Sequence, residues 1–145
     1  MNSSYKKTEA MLYNYNKTKS EIKNIDLDLR LLESEIDGVG AIVYEEKTGL
    51  TNKFNSSVEN EVVARENKVK KLEKSKLIKI IEVERIDNAL SNLTSREYNI
   101  IKMRYFDKEK NKHIAAKLDL TEEYICELKR GIIRNLVDIM FLNKV

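Results

Sequence analysis

The chain has no proline and no tryptophan, one cysteine, one histidine and four glycines among its 145 residues. Globular chains use about 5% proline, mostly in turns, so its absence predicts few turns and long helices. Three of the glycines, Gly38, Gly40 and Gly49, fall in one short window. That clustering argues against an all-β sandwich or barrel, which needs turn residues between many short strands. Cys126 alone cannot close an internal disulfide, and with His113 alone it cannot complete a four-ligand zinc site. No cofactor or metal is expected. No apolar run approaches the roughly 18–20 residues of a membrane span, and the start MNSSYKKTEA lacks the apolar core of a secretory signal. A cytoplasmic protein without membrane contact is the expectation. No phosphate-binding glycine loop, dinucleotide fingerprint or nucleophile elbow is present, which leaves no basis for an enzyme.

What the chain does have is charge and periodicity. Residues 1–93 carry 16 basic and 16 acidic side chains, whereas 94–145 carry 11 and 8, so the whole formal charge of +3 lies in the last third. This asymmetry favours a polyanionic partner for that part. In the first part Met11, Tyr15, Thr18, Ile22, Ile25, Leu29, Leu32 and Ile36 recur at alternating spacings of four and three, a heptad stripe. It predicts one helix over about 5–37, a loop over 38–56 and a second helix over 57–90, capped by Ser56 or Ser57, with Glu59 completing a capping box from Ser56. The second helix carries Val62, Val69 and Leu72 on its seam. Lys76 and Lys79 occupy positions where a strict heptad wants apolar residues. The expected product is an antiparallel hairpin or coiled-coil arm, with Tyr15, Ile22, Ile25, Leu29, Leu32, Ile36, Val62, Val69 and Leu72 packing within one chain or between two copies. A homodimer through this arm is one of the two possibilities.

The last third reads as three further helices. Thr94 or Ser95 caps the first, and Glu97 is available at the third position of a Thr94 capping box. A short helix follows over Asn111–Leu118, with small Ala115 near its closest approach to the next. Thr121 then opens a longer helix on which Ile125, Leu128, Ile132, Leu136 and Ile139 form an apolar seam. A short helix, a tight turn and a longer helix with a free polar face is the helix-turn-helix plan. The division expected is therefore 1–91 as arm and 92–145 as DNA-binding domain.

LTSREYNIIKMRYF over 93–106 and HIAAKLDLTEEYICELKRGIIRNL over 113–136 resemble region 4 of bacterial sigma-70 factors. The stretch YEEKTGLTNKFNSSVENEVVAREN over 44–67 resembles the middle of small phage proteins of the RinA and ArpU type, which join a helical arm to a sigma-like domain. The resemblance implies an all-α chain that binds double-stranded promoter DNA in a bacterial host, near the nucleoid, and activates late genes for packaging and lysis. Host RNA polymerase is an implied partner.

Carried over by position, the DNA-reading face maps to Glu122, Glu123, Tyr124, Cys126, Glu127, Lys129, Arg130 and Arg134. Arg96 and Arg104 map to phosphate contacts, and Lys112 lies on the short helix that crosses the DNA backbone in such motifs. Glutamate accepts hydrogen bonds from cytosine amino groups in the major groove, but Glu122 and Glu123 also suit the positive end of a helix dipole without touching DNA. Tyr124 suits either a thymine methyl or the domain core, and His113 has no catalytic partners around it. Two alternatives stay open: a small-terminase-like packaging protein, and a sigma-like protein that touches polymerase without binding DNA.

Overall fold

The computed structural model describes the backbone of residues 3–46 and 52–142, and the side chains of 3–35 and 58–142. The fold is all-α, and no strand occurs among the described residues. Helix α1 spans Ser3–Tyr13, α2 Tyr15–Glu46, α3 Asn52–Leu90, α4 Ser95–Ile101, α5 Asn111–Leu118 and α6 Glu122–Met140, with a π-helical turn over Lys102–Phe106 after α4.

The first two expected helices differ from this in three places. The single helix over 5–37 is interrupted at Asn14, yet the Asn14 amide donates to the Ala10 carbonyl at 3.0 Å and the Thr18 amide to the Asn14 carbonyl at 2.8 Å. Its hydrogen-bond ladder therefore runs across the break. Gly38 and Gly40 do not end α2, which continues to Glu46. A helical glycine costs roughly 1 kcal/mol against alanine but stops a helix only where the chain turns left-handed at its end. Helix α3 starts at Asn52, so Ser56 and Glu59 lie inside it rather than at its cap. The expected loop over 38–56 shrinks accordingly, and 47–51 lie outside the described residues.

The packing divides the chain into two compact units, one of Met1–Lys19 with Ile81–Val145 and one of Ser20–Ile80. The sequence places its division at Ser91 and Asn92, where α3 ends. The packing instead gives the ends of the arm to the C-terminal helices.

In the first unit, α1 turns Ser4, Thr8 and Leu12 inward, one residue per turn. The buried Thr8 hydroxyl is satisfied by donating to the Ser4 carbonyl at 2.8 Å. The core gathers Leu12 from α1, Ile86, Ala89 and Leu90 from α3, Ile100 and Ile101 from α4, Tyr105 from the π turn, and Ile132, Ile133, Leu136 and Met140 from α6. Each fully buried side chain of this size contributes about 1.5–3 kcal/mol. Of the two caps the sequence offers, Thr94 is the one used for α4: its hydroxyl accepts the Glu97 amide at 3.2 Å and the Glu97 carboxylate accepts the Thr94 amide at 3.0 Å. Tyr15 belongs to this unit, with its ring stacked on Phe106 at 4.8 Å and its hydroxyl donating to Asp87.

The second unit is a hairpin. Lys79 pairs with Glu21 at 2.8 Å and Lys76 pairs with Asp26, so α3 descends as α2 rises. Ile25 and Leu32, seven residues apart, are buried, while Ile22, Leu29, Val69 and Leu72 are half-buried. Val62 stays exposed, and Ile36 falls outside the described side chains. The two lysines that break the heptad are thus answered by acidic partners across the seam.

Candidate nucleic-acid interface

Helices α5 and α6 meet through a turn built by residue type. Asp119 ends α5 in the left-handed region at φ 54° and ψ 43°, a conformation that aspartate tolerates better than most side chains. The amides of Asp119 and Leu120 both donate to the Ala115 carbonyl, the latter at 2.9 Å. The Leu120 bond is the six-to-one closure of a Schellman-type helix end, and the Asp119 bond is the five-to-one bond of the left-handed end. Leu120 then folds over a small second core of Ile114, Ala115 and Ile125, where the short Ala115 side chain lets α6 lie close. Thr121 returns to extended backbone, and its hydroxyl caps α6 by accepting the Tyr124 amide at 3.1 Å. Glu122 and Glu123 occupy the first turn, where the helix dipole favours negative charge.

With Ile125, Ile132, Ile133, Leu136 and Met140 buried, α6 leaves a stripe of Glu123, Glu127, Arg130 and Arg134 exposed at spacings of four, three and four. Its N-terminal half is acidic and its C-terminal half basic. Thr121, Glu122, Glu123, Cys126, Glu127 and Arg130 line a shallow open concavity on this face. Cys126 is half-buried, and its sulfur accepts a hydrogen bond from the Asn111 side-chain amide at 3.2 Å, which ties the start of α5 to α6. Tyr124 is exposed, and the Arg96 guanidinium of α4 lies 5.8 Å from its ring centroid, within cation–π range. An arginine expected at phosphate therefore stands beside the N-terminus of α6.

Two expected contacts lie elsewhere. Lys129 points away from the stripe, with its side chain 15% exposed and its ammonium 3.8 Å from the Glu9 carboxylate of α1. Arg104 is half-buried in the π turn, its guanidinium 5.7 Å from the Tyr105 ring and its buried Nε without a hydrogen-bond partner among the described residues. Lys112 is exposed on α5, the helix on which its sequence position places it. Of the other lysines near α5, Lys108 donates to the Tyr13 carbonyl at 2.7 Å and lies over the Tyr13 ring, and Lys117 pairs with Glu109.

Sequence reasoning missed Glu9. Its carboxylate accepts the Tyr105 hydroxyl at 2.6 Å and faces Lys129, which joins α1 to both the π turn and α6. The only sequence signal is the four-residue recurrence of Ser4, Thr8 and Leu12, two of them polar. Burial first, and then the bond to Glu9, hold the Tyr105 hydroxyl well above its ordinary pKa. Burial first, and then Asp87, do the same for Tyr15. Tyr5 is raised by burial and by Glu9, while Arg130 and Arg134 pull it the other way.

Among the described residues no group of three or more His, Cys, Asp or Glu side chains is placed to hold a metal ion, and no helix is long and apolar enough to cross a membrane. No curated protein and no solved structure matches the chain. Residues 89–137 match the family model described as Sigma-70, region 4, so the stretch holding α4, α5 and most of α6 is a sigma-70 region 4-like helix-turn-helix domain, a kind that suggests DNA binding.

Proposed function

We propose that the chain is a sequence-specific DNA-binding transcriptional regulator, encoded by a phage or prophage, that activates late genes by laying α6 in the major groove of promoter DNA. The observation that carries this reading is the exposed stripe of Glu123, Glu127, Arg130 and Arg134, flanked by Arg96 at the start of the helix. In helix-turn-helix proteins the N-terminal residues of the second helix meet base edges while surrounding cations hold phosphates. Glu123 and Glu127 then accept from cytosine amino groups, and Arg96, Arg130 and Arg134 bind phosphate. The reading gives the chain no catalytic step.

A second reading has one specific observation in its favour. Glu122, Glu123 and Glu127 together face solvent on one side of α6, and carboxylates that find no cytosine repel the phosphate backbone. In this reading the domain docks on host RNA polymerase and leaves DNA to other proteins.

The test is selection of bound fragments from phage and host DNA, followed by titration of the selected site with the Arg96→Ala, Arg130→Ala, Arg134→Ala triple variant. Affinity should fall by at least tenfold, and the slope of log affinity against log salt should flatten by up to about 0.9 for each phosphate that the variant no longer neutralises. Unchanged affinity and slope overturn the DNA reading. Absence of DNA binding together with capture of polymerase selects the second.

A further inference from the structure

The hairpin of Ser20–Ile80 covers its apolar residues incompletely. Leu27 is 56% exposed and Leu31 60% exposed on α2, and Leu77 and Ile78 are 57% and 59% exposed on α3. Two helices bury only the stripe each turns toward the other, and a stable helical layer needs a second layer against it. The exposed residues belong to stripes of their own. On α2, Asp28, Leu31 and Glu35 recur at i, i+3 and i+7, with Leu27 one turn before Leu31, and all four are exposed. On α3, Lys71, Lys74 and Ile78 recur at the same spacing and are likewise exposed. Residues so spaced lie on one helix face.

The charges of these two stripes are opposite. From Glu21 to Glu35, α2 carries five acidic and two basic residues, and from Lys68 to Ile80, α3 carries six lysines and one glutamate. The pairs Lys79–Glu21 and Lys76–Asp26 are made within the hairpin, whereas Asp28 and Glu35 lie on the outward stripe of α2, and Lys71 and Lys74 on that of α3. A surface that is acidic on one helix and basic on its neighbour is complementary to itself after a twofold rotation. In such an isologous contact, the α2 of each copy meets the α3 of the other.

We propose that the occupant of this surface is a second copy of the chain. In the dimer the Asp28–Leu31–Glu35 stripe of each α2 lies on the Lys71–Lys74–Ile78 stripe of its partner's α3. Leu27, Leu31 and Ile78 form the apolar centre, and the charges fix the pairing. The proposal does not depend on DNA binding, and its test involves no DNA.

The full chain should sediment at twice its 17.0 kDa mass and fall to one copy on dilution. Leu31→Ser with Ile78→Ser should raise the dissociation constant by about tenfold or more. The decisive pair is Asp28→Lys with Glu35→Lys in one chain and Lys71→Glu with Lys74→Glu in another. Each alone should be monomeric with its helical circular dichroism intact, and mixing them should restore the double mass as a mixed dimer. A wild-type chain that stays monomeric at every concentration overturns the proposal, as does a ring of many copies. So do charge-reversed chains that still pair with themselves, or a mixture that does not recover. If the wild-type chain is a monomer that gains mass only with added polymerase, the surface belongs to that partner and the proposal fails.

Discussion

The two compact units are both made of helices and bury very different amounts of them. The unit of Met1–Lys19 and Ile81–Val145 wraps α1, α3, α4 and the π turn around α6 and leaves Leu12, Ile86, Ile100, Ile101, Ile133 and Leu136 at 1% exposure or less. The unit of Ser20–Ile80 has Ile25 and Leu32 as its buried apolar side chains among the described residues. A heptad stripe specifies a direction of packing, but the depth of a core depends on how many faces converge on it. Where only two helices meet, Lys76 and Lys79 lay their apolar stems along the seam and reach acidic partners across it.

The largest effect should therefore separate the units. Leu136→Ala, at 0% exposure in the middle of α6, should cost about 3–5 kcal/mol, because surrounding helices hold the cavity open. Leu32→Ala in the hairpin should cost about 2 kcal/mol or less, since two helices close over a small void more easily. Urea denaturation of both variants measures the difference. Equal losses would mean that the hairpin is as deeply supported as the helix-turn-helix unit, by a partner or otherwise.

A smaller effect sharpens what joins α1 to the helix-turn-helix. Tyr105→Phe removes the hydroxyl bound to Glu9 and should cost about 1 kcal/mol at neutral pH. The folded Tyr105 hydroxyl holds its proton well above the ordinary value of 10.0. The unfolded chain then loses this proton first as pH rises. Stability is whole below pH 10 and declines as pH climbs toward the folded value. Thermal melting from neutral to alkaline pH should show that decline in the wild type and a shallower one in Tyr105→Phe, with the remainder belonging to Tyr15 and Tyr5. An identical slope in the two proteins would remove Tyr105 from the alkaline loss.

How much of the fold and of the interface is legible in the sequence follows the same division. The cap at Thr94, the small Ala115, the turn at Asp119 and the exposed α6 stripe are local, each fixed by a few adjacent side chains, and all are visible in the sequence. The all-α class follows from periodicity and the absent proline. The helix ends expected near Gly38 and Ser56 lie elsewhere, because glycine and serine mark a boundary only when the backbone takes a capping conformation. The role of α1 is hidden for another reason. Its inward face is Ser4, Thr8 and Leu12, too polar to announce burial, and its key contact joins Glu9 to Tyr105 and Lys129 across most of the chain. The orientation of Lys129 cannot be read from α6 alone, because its partner lies on another helix.

The smallest expected effect concerns Gly131, on the exposed side of α6 next to Arg130. A Cβ added there meets nothing within 4 Å, so neither the preceding helices nor the core requires a glycine. Glycine in a helix interior costs roughly 0.5–1 kcal/mol relative to alanine, through the freedom it loses on folding. Gly131→Ala should stabilise the protein by about that amount in a melting experiment, and a loss of stability would contradict the open surroundings of the residue. Binding to the selected DNA site then decides why the sequence keeps it. A stabilised variant with unchanged affinity marks Gly131 as a tolerated gap in the helix. A stabilised variant with weakened affinity places its bare backbone against DNA, because a single methyl group that touches nothing in the protein can only be felt by what the protein binds.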